Sequence, residues 1–131
     1  MASVMTYDWV LQQGDSVAMA FATKNWADPA HQEQGDPMVN AYNYTGAVVR
    51  MQAREQYSSS AAALSVSSTG TGDDYIDVNN ATNTITIYIS PETMARVKAG
   101  DYVYDVECTF ADGTVKKLLK GSISVEPEVT K

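Results

Sequence analysis

The segment Thr84-Ile85-Thr86-Ile87-Tyr88-Ile89 places isoleucine at every second position with Thr or Tyr between, the period-2 pattern of a strand with one buried face. The same alternation runs through Ser16 to Ala22, where Val17, Met19 and Phe21 interleave with small residues. It recurs in Gly46 to Glu55, where Ala47, Val49, Met51 and Ala53 alternate with Val48, Arg50, Gln52 and Arg54. Tyr102 to Phe110 sets Tyr102, Tyr104, Val106 and Cys108 on one side and Asp105, Glu107 and Thr109 on the other. Tyr7 to Leu11, Val115 to Val125 and a short run, Ala63 to Ser67, complete the strand candidates. The predicted core is Val17, Met19, Phe21, Val49, Met51, Ile85, Ile87, Ile89, Val106, Leu119 and Ile123, because a register slip of one residue would expose them all.

One segment breaks the period. Ser90-Pro91-Glu92-Thr93 is a helix start: a serine able to cap, a proline where no backbone donor is needed, and an acid in the first turn. Met94 and Val97 follow on one face and Gly100 closes the turn, which predicts a short helix over Pro91 to Val97. Asp112-Gly113 predicts a tight hairpin, since glycine supplies positive φ without strain. The return strand, Val115 to Val125, is expected to bend or bulge near Gly121. A strand, a helical turn, a tyrosine-bearing strand and a hairpin follow the E, F, G order of an immunoglobulin-like antiparallel β-sandwich. That architecture uses a tyrosine near the start of strand F whose hydroxyl returns to upstream backbone. Tyr102 or Tyr104 fits the position, and so does the plainer reading of two half-buried strand tyrosines.

These residues carry a resemblance. Gly100-Asp101-Tyr102-Val103-Tyr104-Asp105-Val106, Asp112-Gly113, Leu118-Leu119-Lys120-Gly121 and Val125-Glu126-Pro127-Glu128-Val129-Thr130 resemble a family of small tailed-bacteriophage virion proteins. That family is similar to the immunoglobulin-like N-terminal domain of phage baseplate upper proteins. Trp9 to Ser16, with its Gly14-Asp15 opening, and Tyr44 to Arg54, with its Thr45-Gly46-Ala47 entry, extend the likeness from Trp9 to Thr130. It implies a virion structural role and no catalytic residues. Ala22 to Asn43 is longer and more polar than the corresponding link, so the resemblance does not cover any surface built there.

At 131 residues the chain suits a single β-sandwich domain, 1–131, with one core. The net charge of −7 argues against sequence-independent nucleic-acid binding, which needs Lys and Arg to neutralise phosphates. Lys116, Lys117 and Lys120 cluster on the last strand, where lysines guard a sheet edge. No run approaches the roughly 18 apolar residues of a membrane span. Met1 to Met5 lacks a secretory start, which predicts synthesis in the cytosol.

Catalytic and ligand chemistry is sparse. The single histidine, His31, sits in a polar stretch and assembles neither a His-rich zinc site nor a Ser-His-Asp system. Asp73, Asp74 and Asp77 lack the spacing of a calcium loop and read as a solvated turn. Asn43-Tyr44-Thr45 and Asn80-Ala81-Thr82 match a glycosylation pattern that has no meaning without a secretory route. Cys108, on the face of Val106, reads as a small buried hydrophobe. No catalytic, metal or cofactor site is expected.

The expected partner surface is the polar segment Lys24 to Tyr44, with Trp26, Tyr42 and Tyr44 as contacts, because aromatics are enriched at binding hot spots. Ser58 to Asp74 is a secondary candidate. Against this stands a reading in which Trp26 and Tyr44 fold back to cap the core. The expected function is a non-enzymatic virion component at the tail, baseplate or fibre attachment, docking to other virion proteins as a homo-oligomer or symmetric array, without nucleic acid or membrane. The alternatives are a head-decoration protein, or a carbohydrate-binding module stacking its aromatics on sugar faces.

Overall fold

The computed structural model describes residues 5–26, 30 and 38–129, with the side chain of Trp26 outside the description. Among the described residues the protein is all-β with one short helix. Its elements are β1 (Met5–Thr6), β2 (Trp9–Gln12), β3 (Val17–Ala22), β4 (Lys24–Trp26), β5 (Met38–Asn40), β6 (Val48–Arg54), β7 (Leu64–Ser67), β8 (Tyr75–Asn79), β9 (Thr84–Ile89), α1 (Pro91–Arg96), β10 (Gly100–Thr109) and β11 (Val115–Glu126). The larger sheet has the order β1-β11-β10-β6-β7, with β2 also on β11. The second sheet is β3-β9-β8, and β4 with β5 forms a separate ribbon.

Period-2 alternation becomes burial. In β9 every isoleucine is buried and every Thr or Tyr between them is partly exposed. β10 buries Tyr102, Tyr104, Val106 and Cys108 in the same way. The inward residues of both sheets form one hydrophobic cluster. Ten of the eleven expected core residues are buried in it, and Phe21 packs against it half-buried. Removing the Ile87 side chain beyond Cβ would cost on the order of 2–5 kcal/mol by lost transfer energy and the cavity left behind.

The helix forms where its start signals lie. Ser90 Oγ accepts from the Thr93 amide at 3.2 Å, and Pro91 occupies the first turn. Asp74 fastens this turn to the start of β8: one carboxylate oxygen accepts from the Ser90 amide at 2.7 Å and the other from the Thr93 hydroxyl at 2.5 Å. Met94 and Val97 are buried beneath it.

Four expectations change. Asp73, Asp74 and Asp77 are not one solvated turn, because Asp74 caps the helix and Asp77 lies in β8, an edge strand of the smaller sheet with Ile76 as its one fully buried residue. The irregularity in the last strand falls between Val106 and Glu107 on the partner side, where Leu118 is the extra residue and both Leu118 and Leu119 are buried. Gly121 serves another purpose: a Cβ there would stand 2.0 Å from the carbonyl oxygen of Tyr7, so the first strand crosses directly over it and splits into β1 and β2. The last strand is also not a guarded edge from Leu119 onward, since β1 pairs in parallel with Leu119 and Lys120 and β2 with Ile123 to Glu126. Lys117 pairs with Asp105 at 3.1 Å across to β10. Lys120 therefore lies on an inner strand, whereas Lys116 and Lys117 lie in the part of β11 that pairs with β10 alone, where the edge expectation holds.

Candidate partner-binding surface

The segment expected to form a docking loop contains paired strands. Lys24 to Trp26 pairs antiparallel with Met38 to Asn40, a ribbon that polar composition concealed. Trp26 lies opposite Met38 in it; its side chain, like His31, lies outside the described residues. Met38 and Val39 are exposed.

At the base of the ribbon the chain is pinned by asparagines. Asn83 is fully buried and takes the left-handed conformation at φ 51°, which Asn tolerates better than most side chains. Its side-chain oxygen accepts from the Tyr42 amide at 2.9 Å and its amide group donates to the Asn80 carbonyl at 3.1 Å. Asn80 in turn accepts from the Tyr44 amide at 2.7 Å. The buried Thr23 hydroxyl lies 3.2 Å from the Asn83 side-chain oxygen, 3.3 Å from its carbonyl and 2.7 Å from the Tyr44 hydroxyl. With Thr23 donating to Asn83, Tyr44 must donate to Thr23, so the phenol is held neutral. Burial pushes Tyr44 up to about 12.

Tyr44 is therefore a core residue, only 3% exposed, and has no surface to offer a partner. It folds back as the capping alternative required. Tyr42 is partly buried against the same core. The two rings and Phe110 form a cluster, with Tyr44 stacked on Phe110 at 6.0 Å and Tyr42 tilted toward it at 5.4 Å. Phe110 was missed by sequence reading. Its signal was the Asp112-Gly113 turn, which folds the end of β10 back beside the Tyr42 segment.

What results is an open groove of about 430 Å3 at this end of the molecule, with Tyr42 and Phe110 among its lining and Asn43, Asp112, Thr114 and Lys116 around it. The Thr114 amide donates to Asp112 at 2.9 Å and holds its carboxyl below the usual range. Acid, amide, hydroxyl and amine beside aromatic rings give a surface able to stack and hydrogen-bond. Behind it, Cys108 is buried, and burial pushes its thiol up to about 11 despite the Arg50 guanidinium. A thiol so protonated is a poor nucleophile. Among the described residues no three His, Cys, Asp or Glu side chains converge to hold a metal, and no helix is long and apolar enough to cross a membrane. The secondary candidate, Ser58 to Asp74, divides: Leu64 to Ser67 is β7, paired to β6, and Asp74 is engaged by the helix.

The chain matches no protein-family model and no curated protein.

Proposed function

We propose that the chain is a non-enzymatic structural protein of a tailed-bacteriophage virion, an immunoglobulin-like antiparallel β-sandwich acting as an adaptor at the tail, baseplate or fibre attachment. The observation that carries this reading is the coincidence of motif and strand order. The segments resembling baseplate proteins, Gly100 to Val106, Asp112-Gly113 and Leu118 to Gly121, lie on β10, on the turn after it and on β11. In the sandwich reading, β3, β9 and β8 take the places of strands B, E and D. Strands β2, β11, β10, β6 and β7 take those of A′, G, F, C and C′. The Tyr102 hydroxyl donates to the Lys98 carbonyl, four residues upstream, which is the corner contact that this architecture uses. Tyr104 does something else: it donates to the Tyr7 carbonyl at 2.6 Å and accepts from the Trp9 indole at 2.7 Å.

In this reading the protein is made in the host bacterial cytoplasm and incorporated into particles in several copies, against other virion proteins. A net charge of −7 disfavours the packaged DNA as a partner. Gold-labelled antibody against the chain, applied to purified particles and viewed by electron microscopy, tests the assignment. Label at the tail or baseplate is the expected result; label over the head would replace it with the decoration reading, and particles without the protein would end both. A second reading has its own observation in the aromatic groove with a polar rim, the chemistry that stacks on a sugar face. A glycan-binding screen with Tyr42→Ala as control tests it, and no binding by the native chain removes it.

A further inference from the structure

The groove between the Tyr42 segment and the last hairpin holds more than a place to stack. Its volume, about 430 Å3, falls in the range of a small-molecule site. Tyr44 takes one face of Phe110, while Tyr42 and Phe110 each keep part of their surface open to the groove. The lining carries one acid, Asp112, and one base, Lys116, so the described rim is neutral on balance.

The polar groups beside the rings differ in what they require of an occupant. Asp112 accepts from the Thr114 amide at 2.9 Å, which keeps the carboxyl ionised; a carboxylate only accepts, and it has lone pairs left for further donors. Asn43 works the other way. Its side-chain oxygen accepts from the Thr45 amide at 3.1 Å and from the Asn80 side-chain amide at 3.3 Å. Both of its lone pairs are then used, which leaves the NH2 group to donate. An occupant must therefore donate to the hairpin and accept from the Tyr42 segment.

These requirements separate the ligand classes. An anion would meet an ionised carboxylate on a chain of charge −7, a like-charge contact. A cation would suit the rings and Asp112, but Lys116 lines the same groove. A proline-rich peptide fits an aromatic-lined groove, yet proline has no N–H to offer Asp112. A neutral sugar has an apolar C–H face for the rings and hydroxyls that both donate and accept. We propose that the groove binds a neutral pyranose of a glycan, stacked on Tyr42 and Phe110, with Asp112 accepting from its hydroxyls and Asn43 donating to its oxygens. This rests on the sugar reading given above and adds the class of sugar and the residues that select it. The virion assignment stands or falls without it.

An amide chemical-shift titration of the full chain with neutral methyl pyranosides, and with a methyl glucuronoside as the charged comparison, tests the proposal. The neutral sugars are expected to shift the amides of Ala41 to Thr45 and Phe110 to Lys116 and to bind at least about tenfold more tightly than the glucuronoside. Asp112→Asn keeps an oxygen for the Thr114 amide but removes the charge. It is expected to weaken the neutral sugars about tenfold and to narrow the gap to the glucuronoside, with unchanged circular dichroism. If that variant fails to fold, Asn43→Asp, which keeps the accepting oxygen and removes the donor, decides in its place with a similar loss. Binding of the glucuronoside alone overturns the proposal and leaves the sugar reading standing. Unshifted amides with every sugar, up to its solubility, overturn both, as do shifts produced only by choline or by a proline-rich peptide. Neutral sugars held equally well by the native, Asp112→Asn and Asn43→Asp chains also overturn the proposal.

Discussion

Replacing Asn83 by alanine tests the reasoning about how the groove end is built. Three losses follow from the geometry. The Tyr42 amide, bonded to the Asn83 side chain at 2.9 Å, loses its acceptor; a buried donor left unpaired costs about 1–3 kcal/mol. Alanine at φ 51° gives up the tolerance of asparagine for left-handed backbone, about 1 kcal/mol more. The Asn80 carbonyl also loses its donor, at one end of the same chain of bonds. A total near 2–4 kcal/mol is expected, read as a lower urea midpoint at unchanged slope. Asn83→Gly separates the contributions, because glycine restores the backbone freedom but none of the hydrogen bonds. It is expected to be more stable than the alanine variant by about 1 kcal/mol. A loss below about 0.5 kcal/mol for Asn83→Ala, the range of unremarkable surface changes, would refute the account. So would a glycine variant no more stable than the alanine one.

Gly121→Ala is expected to destabilise by about 1–3 kcal/mol or more, since its Cβ would meet the Tyr7 carbonyl at 2.0 Å; hydrogen exchange should accelerate first along Met5 to Gln12. Asp74 predicts an acid limb to the stability curve. Burial raises its pKa, but hydrogen bonds from the Ser90 amide and the Thr93 hydroxyl outweigh this and hold it low. Its stabilising contribution is therefore present above the ordinary aspartate range and lost as pH falls through the depressed value, and Asp74→Asn should flatten that part of a urea titration. Tyr44 and Tyr104 are both pushed up to about 12, chiefly by burial. They favour the fold below the ordinary tyrosine range, and that contribution is lost as pH rises toward about 12; ultraviolet absorbance should show them ionising after the exposed tyrosines.

The strands that bury a clean alternating face were legible in the residues, because two-residue periodicity survives whatever the sheet order. Ile85, Ile87 and Ile89 could point nowhere else. The helix was legible for a similar reason, since its start chemistry is local. Strand β8 was hidden: only Ile76 on it is fully buried, and Asp73, Asp74 and Asp77 read as a solvated turn. The parallel pairing of β1 and β2 with β11 was hidden too, because parallel neighbours share no turn that announces them. The candidate site was the least legible part. Tyr44 looked like a surface aromatic in a polar segment, and only the buried Thr23 and Asn83, far away in sequence, make it a core residue. Phe110 gave no sign of its role until the last hairpin brought it beside Tyr42.

The parallel pairing of β2 with β11 also fixes how the molecule meets mechanical force. Trp9 to Gln12 runs alongside Ile123 to Glu126 in the same direction. Tension entering through the chain before β2 and leaving through the chain after β11 pulls these neighbours in opposite directions along their length. The bonds of the ladder, together with that from the Gln13 amide to the Glu126 carbonyl at 2.9 Å, are then loaded at once in shear instead of peeling one after another. The crossing over Gly121 adds a second short clamp of the same polarity, from Met5 to Thr6 against Leu119 and Lys120. A chain threaded this way resists extension at its outermost strands, before any load reaches the core behind them.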